Sequence, residues 1–197
     1  MISNDAEIHR MQRAFRTTMD AFAHPGAVFE LRDDALDATG AREPLMTLVR
    51  LFVDQAVTFY CCDDALAERI AVETRARRAL QSEALFVVAP GTASVQRAGA
   101  SEACAGTPVS PEKGATVFVE CGCVSSVPDA GLACFEVRGP GVKDVNRFWT
   151  DSDEWARVRE GRCDEYPLGV EMIMVDGAGR FAVIPRSSDV TRAEGGR

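Results

Sequence analysis

Seven cysteines are the residues in this chain that could act as thiolate nucleophiles or as soft metal ligands. Their number is odd and most lie in apolar segments, which is unlike the disulfide framework of a secreted protein. Cys121 and Cys123 would share one face of a strand, whereas Cys61 and Cys62 would point to opposite faces. No Cys-x-x-Cys pair is present. The pattern therefore favours reduced thiols buried as small apolar side chains over a metal or iron–sulfur site.

The other candidate catalytic residues are two histidines and two lysines. His9 and His24 fall on or just after one helix, where a helix-surface or helix-end hydrogen bond is the simpler interpretation. Pyridoxal phosphate would need a lysine for its Schiff base, but Lys113 and Lys143 both lie in turns without an evident acidic partner. Nucleophile-elbow, Walker and dinucleotide-binding motifs are missing from the sequence. We therefore predict no catalytic, cofactor-binding or metal-binding residue.

Arginines and aromatic residues are the candidates for binding rather than chemistry. Arg186 follows a predicted buried strand next to two serines, so it is a candidate anion contact, with a fold-stabilising carboxylate or carbonyl contact as the alternative. Near a helix end, Arg75, Arg77 and Arg78 could bind phosphate or form a solvated face. An aromatic group is a candidate partner surface, with core packing as the alternative: Phe148, Trp149 and Trp155.

Helix and strand patterns alternate through the first half of the chain. Apolar residues at helical spacing predict an amphipathic first helix: Ile8, Met11, Phe15, Met19 and Phe22. A second helix is predicted from Pro44 and a third from an Asp63 cap through Arg77. Strands are predicted at Ala56 to Cys61 and Leu85 to Ala89.

The second half of the chain is predicted to be mostly strands. Thr116 to Val124 and Leu132 to Arg138 form a plausible antiparallel pair, and a helix is predicted near Asp153 to Arg159. Met172 to Val175 and Phe181 to Ile184 are apolar on both faces, so we expect a buried terminal hairpin. These elements indicate a single domain over residues 1–197, a three-layer αβα fold with a mixed β-sheet.

Charge and hydropathy exclude several classes of partner. The formal net charge of −8 argues against binding to nucleic acid or to anionic membranes, both of which require concentrated positive charge. The N-terminal residues have no apolar core like that of a signal peptide, and no stretch reaches the roughly 18 apolar residues of a membrane span. We expect a cytoplasmic protein.

Several blocks of sequence, in order along almost the whole chain, resemble the PhnH family, a subunit of the bacterial carbon–phosphorus lyase complex. They comprise Phe15-Arg16 with Met19 and Pro25-Gly26, Gly106-Thr107 with Pro111 to Val117, Arg138 to Val142, and Tyr166 to Glu171 with Ile184 to Ser188. The resemblance implies an αβα fold distantly similar to pyridoxal-phosphate-dependent transferases but without their cofactor site.

The resemblance also implies a function. Family members belong to the core complex that couples a phosphonate to the ribose of ATP with release of adenine, and they form homodimers when isolated. We therefore expect an accessory, non-catalytic subunit whose partners are the other subunits of that complex. The alternatives are a small stand-alone transferase and a protein that binds a phosphate ligand, with Arg186 holding the phosphate.

Overall fold

A seven-stranded mixed sheet forms the centre of the molecule. The computed structural model describes residues 4–31, 42–91 and 100–193. Within these ranges the helices are α1 (Asn4–Ala23), α2 (Glu43–Phe52), α3 (Asp64–Thr74) and α4 (Glu154–Glu160), with a 3-10 turn at Pro111–Lys113. The strands are β1 (Val28–Glu30), β2 (Thr58–Cys61), β3 (Arg77–Arg78), β4 (Phe86–Ala89), β5 (Thr116–Cys121), β6 (Val124–Ser125), β7 (Ala133–Arg138), β8 (Asn146–Thr150), β9 (Glu171–Asp176), β10 (Arg180–Ile184) and β11 (Asp189–Arg192).

The central sheet has the order β1-β10-β9-β5-β4-β2-β3. From β9 to β3 the strands are parallel, and β10 and β1 add antiparallel pairs at the other edge. The predicted mixed sheet is therefore confirmed. The predicted terminal hairpin is confirmed as well, because β9 and β10 pair antiparallel with Val175 opposite Phe181. Both strands are almost entirely buried, since layers cover both faces of the sheet.

The two faces of the central sheet are covered differently. Helices α1, α2 and α3 pack on one face, where Leu48 and Ile70 meet Phe118 in the first hydrophobic core. The other face carries a second, four-stranded sheet of order β11-β7-β8-β6 together with α4. Antiparallel strands thus occupy much of a layer for which the αβα prediction expects helices.

One strand pairing and one helix end also differ from the sequence prediction. β5 belongs to the central sheet and β7 to the smaller one, so the predicted pairing of Thr116 to Val124 with Leu132 to Arg138 is wrong. β7 pairs with β8 instead. The third helix begins after the predicted Asp63 cap, whose Oδ1 accepts from the Leu66 N–H at 3.0 Å, but it ends at Thr74. Arg75 there adopts a left-handed conformation with φ of 61°.

Helix α1 packs on the molecule through small side chains. Ala14, Thr18 and Ala21 are buried, whereas three of the five apolar residues that predicted its amphipathic character are exposed. Ile8, Phe15 and Met19 keep 47%, 49% and 37% of their surface accessible. An amphipathic helix normally turns its large apolar side chains toward the core, and here Ile8, Phe15 and Met19 face outward instead.

Candidate functional site

The carboxyl ends of the parallel strands are the usual ligand position in α/β proteins, so they are the first place to look for a site. Asp63 follows β2, Gly91 lies just after β4, and Glu120 lies near the end of β5. Arg42, at the start of α2, contacts two of these groups. Its Nη1 is 2.8 Å from Asp63 Oδ2 and its Nε is 3.2 Å from Glu120 Oε2. The fold thus assembles one arginine and two carboxylates from three separate segments.

The groups of this charged cluster shift one another's pKa values. The hydrogen bond from Arg42 lowers the pKa of Asp63, and the hydrogen bond to Asp63 raises the pKa of the Arg42 guanidinium. Burial raises the pKa of Glu120 although Arg42 opposes the shift. Asp63 also caps α3. The cluster therefore joins α2, α3 and β5.

The thiols near this edge of the sheet are poor nucleophiles. Burial raises the pKa of Cys61 to about 12, and it also raises the pKa of Cys62 and of the fully enclosed Cys121. With raised pKa values these side chains are protonated at neutral pH. Because only the thiolate attacks electrophiles or binds metals, they are poor nucleophiles and poor ligands. All seven cysteines are free.

Two further carboxylates bind the segment in which the chain passes from the central sheet to the smaller sheet. Asp176, which is 2% exposed, accepts from the Val124 N–H at 3.0 Å and pairs with Arg180 at 2.7 Å. Asp151 accepts from the Gly122 and Cys123 N–H groups, each at 3.1 Å. In these contacts, the two carboxylates stabilise the chain between β5 and β6 rather than facing a ligand.

Arg186 lies at a junction of sequence blocks. Its Nε donates to Glu171 Oε1 at 2.7 Å, while Nη1 donates to the Pro111 carbonyl. A Cβ on Gly114 would clash with the Gly169 backbone carbonyl oxygen and would stand 2.6 Å from Arg186 Nη1, so only glycine permits this approach. These contacts favour the fold-stabilising alternative for Arg186 over an anion contact.

A second junction joins the exit of α1 to the turn after β7. The Asn146 side-chain amide donates to the Pro25 carbonyl at 2.8 Å. A Cβ on Gly141 would stand 2.6 Å from the Ala23 carbonyl oxygen. Together with the contacts of Arg186, these approaches place segments from all the blocks that carry the family resemblance at joints between elements.

The three candidate aromatic residues separate into two environments. Phe148 and Trp155 are buried and pack around Phe135, with ring centroids 5.7 Å and 4.6 Å from it. Trp155 Nε1 also donates to Thr150 Oγ1 at 3.1 Å. These two side chains form core rather than partner surface, a correction that follows from their position between the two sheets. Trp149 points the other way on β8, is half-buried, and stays a candidate contact.

The remaining candidates are exposed or locally bonded. Arg75, Arg77 and Arg78 are exposed, and Arg78 pairs with Glu68 at 3.2 Å. His24 Nδ1 is 2.9 Å from the Asp20 carbonyl oxygen, which is a helix-end contact. In the described ranges, no group of three or more His, Cys, Asp or Glu side chains is arranged to hold a metal ion.

The site that sequence reasoning missed is the outer face of α1. We call Ile8, Met11, Phe15 and Met19 the α1 stripe. Three of its members are exposed large apolar residues on one helix, and the others of that kind are spread over separate elements. Aligned exposed apolar side chains are typical of a protein-contact surface. The signal in the sequence was the adjacent face of the helix, because Ala14, Thr18 and Ala21 are small enough to pack closely.

None of the described helices combines the length and apolar character that crossing a membrane requires. Comparison with known proteins gives two matches. Residues 3–191 match the family described as bacterial phosphonate metabolism protein (PhnH). The chain is also 30% identical over 186 residues to a protein of Stutzerimonas stutzeri provisionally named C-P lyase subunit protein HtxG, covering 92% of this chain and 86% of that protein.

Proposed function

Since the chain belongs to the PhnH family of bacterial phosphonate metabolism proteins, we propose that it is an accessory, non-catalytic subunit of the carbon–phosphorus lyase complex. The step we assign to that complex is the coupling of a phosphonate to the ribose of ATP with release of adenine. The proposal includes a cytoplasmic location, because ATP is a substrate of this step. The family likeness to pyridoxal-phosphate-dependent transferases without a cofactor site stays a prediction.

One observation supports a non-catalytic role: the charged groups at the carboxyl ends of the parallel strands form ion pairs with one another. Arg42 pairs with Asp63 and Glu120, and Asp176 pairs with Arg180. The neighbouring thiols are protonated, since burial raises their pKa values. Groups that are paired in this way stabilise the fold, and we assign the catalytic chemistry to other subunits.

We assign the α1 stripe as the surface that meets another protein chain. Its members are spaced three or four residues apart, which is the spacing of one seam between packed helices. A helix face of this kind can pair with the same face of a second copy about a twofold axis. We therefore expect the isolated chain to be a homodimer through α1, and inside the complex either a second copy or another subunit to cover the stripe.

The test introduces a charge into the stripe. Phe15→Glu would place a carboxylate in the middle of the contact, where it would be desolvated, so we expect the isolated variant to be a monomer by light scattering. The matched control is Val72→Glu on α3, because Val72 is 69% exposed and lies on a different helix. The control variant is expected to keep the wild-type mass.

Co-purification with the other lyase subunits completes the test. If Phe15→Glu keeps the dimer but loses the subunits, the stripe belongs to the complex. If neither property changes, the stripe is not a contact surface. A wild-type chain that forms no stable complex with the other subunits under any nucleotide condition contradicts the subunit role itself.

The stand-alone transferase predicts a different result. In that case the isolated chain would release adenine from ATP in the presence of an alkylphosphonate, and replacing a cysteine, histidine or lysine would abolish the release. We expect no adenine release from the isolated chain.

A further inference from the structure

A basic cavity lies between α1, β1 and the start of β10. Its volume is about 630 Å³, which is within the range of small-molecule sites. The described residues that line it include four arginines, and such a concentration is unusual on a chain whose formal net charge is −8. These arginines are Arg10, Arg13, Arg16 and Arg180.

The four arginines are not equivalent. Arg10 pairs with Glu7 at 2.7 Å, and Arg180 pairs with Asp176 at 2.7 Å. Arg13 and Arg16, by contrast, form no ion pair with any carboxylate in the described ranges. One carboxylate, Glu30, also lines the cavity among the described residues. The two exposed guanidinium groups are therefore the charges available to an anion.

Thr47 supplies an independent observation. It lines the same cavity, is 3% exposed, and its hydroxyl has no hydrogen-bond partner within the described structure. Helical threonines commonly donate to the carbonyl four residues earlier, as Thr17 does to Arg13 at 3.1 Å and Thr18 does to Ala14 at 2.8 Å. A buried hydroxyl without a partner costs stability, so its presence in the wall of a basic cavity points to a ligand.

We propose that this cavity binds the phosphoryl or phosphonyl group of a small molecule. Arg13 and Arg16 offer the forked N–H donors that suit a tetrahedral dianion, and Thr47 offers a neutral donor in the buried wall. The apolar side chains of Val28, Phe29 and Leu31 lie along the same cavity and suit the non-ionic part of the ligand. This inference does not depend on the proposed subunit role, because it uses only the chemistry of the cavity.

Titration calorimetry of the full chain with inorganic phosphate, methylphosphonate and ATP tests the proposal. We expect Arg13→Gln and Arg16→Gln each to weaken binding roughly tenfold, since a hydrogen bond to a charged group is worth about that much. The matched control is Arg147→Gln, which removes an equal charge from an exposed residue of β8 and is expected to leave affinity unchanged.

Thr47→Val keeps the side-chain shape and removes the hydroxyl. We expect binding to weaken several-fold while the melting temperature of the unliganded chain stays the same or rises, because the variant removes a buried hydroxyl without a partner. Tighter binding of one probe than the others would identify a phosphate ester or a phosphonate as the natural ligand class. No binding of any probe at millimolar concentration would overturn the site, as would equal weakening by Arg147→Gln.

Discussion

Glu43 is the centre of the most buried ion-pair network in the described part of the chain. Its carboxylate accepts from Arg50 Nη1 at 2.6 Å and from Arg69 Nη2 at 2.7 Å, and only 5% of its side chain is exposed. Glu73 joins both arginines from the solvent side. Burial alone would raise the pKa of Glu43, but the hydrogen bonds from Arg50 and Arg69 lower it overall. The network fastens α2 to α3.

Glu43→Gln is expected to lower the free energy of unfolding by about 1–3 kcal/mol, because two partly exposed guanidinium groups lose a buried partner. Urea denaturation measures this change. The matched control is Glu68→Gln, since Glu68 is 72% exposed and pairs with Arg78 at the surface, and its effect should stay within about 0.5 kcal/mol.

The same residue predicts a dependence on pH. Because the folded pKa of Glu43 is lowered, its carboxylate stabilises the fold above its ordinary pKa, and that contribution disappears as the pH falls through the lowered value. The wild-type chain should therefore lose stability more steeply than Glu43→Gln below a pH of about 4.5. Parallel acid profiles for the two chains would contradict this role.

At the scale of elements, α1 shows how close packing and large apolar side chains can occupy adjacent faces of one helix. Ala21 is completely buried and Ala14 is 7% exposed, so the helix sits close to α2 and β10. Phe15 lies on the outer face. The helix therefore packs against α2 and β10 through small residues. We propose that its exposed large residues, Ile8, Phe15 and Met19, contact another protein chain.

Ala21→Leu tests this packing. Three additional carbon atoms at a fully buried position should lower the free energy of unfolding by about 1–3 kcal/mol through overpacking. The matched control is Ala65→Leu on α3, where the side chain is exposed and the change should be within about 0.5 kcal/mol. Urea denaturation compares both variants. Equal effects of the two substitutions would mean that the inner face of α1 accommodates a larger side chain without overpacking.

At the scale of the whole molecule, the central sheet links two cores. Alternate residues of β5 point to opposite faces, so Phe118 belongs to the core under the helices while Val117 and Val119 belong to the core under the smaller sheet. β9 divides in the same way, with Ile173 on one side and Met172 on the other. We expect the two cores to unfold together, as one cooperative unit.

Phe148→Ala tests this cooperativity. Removal of a fully buried ring should cost about 3–5 kcal/mol, and the loss should appear equally in both halves of the structure. Both tryptophans lie in the layer of the smaller sheet and α4, so their fluorescence reports that layer, while far-ultraviolet circular dichroism also reports the helices. Coincident urea transitions are expected.

Trp149→Phe on the same strand is the control, because Trp149 is half-buried on the opposite face. Its unfolding transition should move little. If fluorescence changes at lower urea concentration than circular dichroism in the Phe148→Ala chain, the smaller sheet unfolds by itself and the chain is not one cooperative unit.

The sequence by itself determined the features that depend on neighbouring residues. The Asp63 cap, the helix from Pro44 and the hairpin of β9 and β10 follow from periodicity, capping and turn chemistry within a few residues, and the structure confirms them. The family was also readable, because its blocks recur in order along the chain.

Only the tertiary structure decided which side chains face one another. Arg186 meets Pro111 across 75 positions of sequence, Arg42 meets Asp63 across 21, and β7 pairs with β8 rather than β5. The exposure of Phe15 and the burial of Phe148 have the same origin. A local pattern states that a residue is apolar, but which face is covered depends on how distant elements pack, and that is a property of the whole fold.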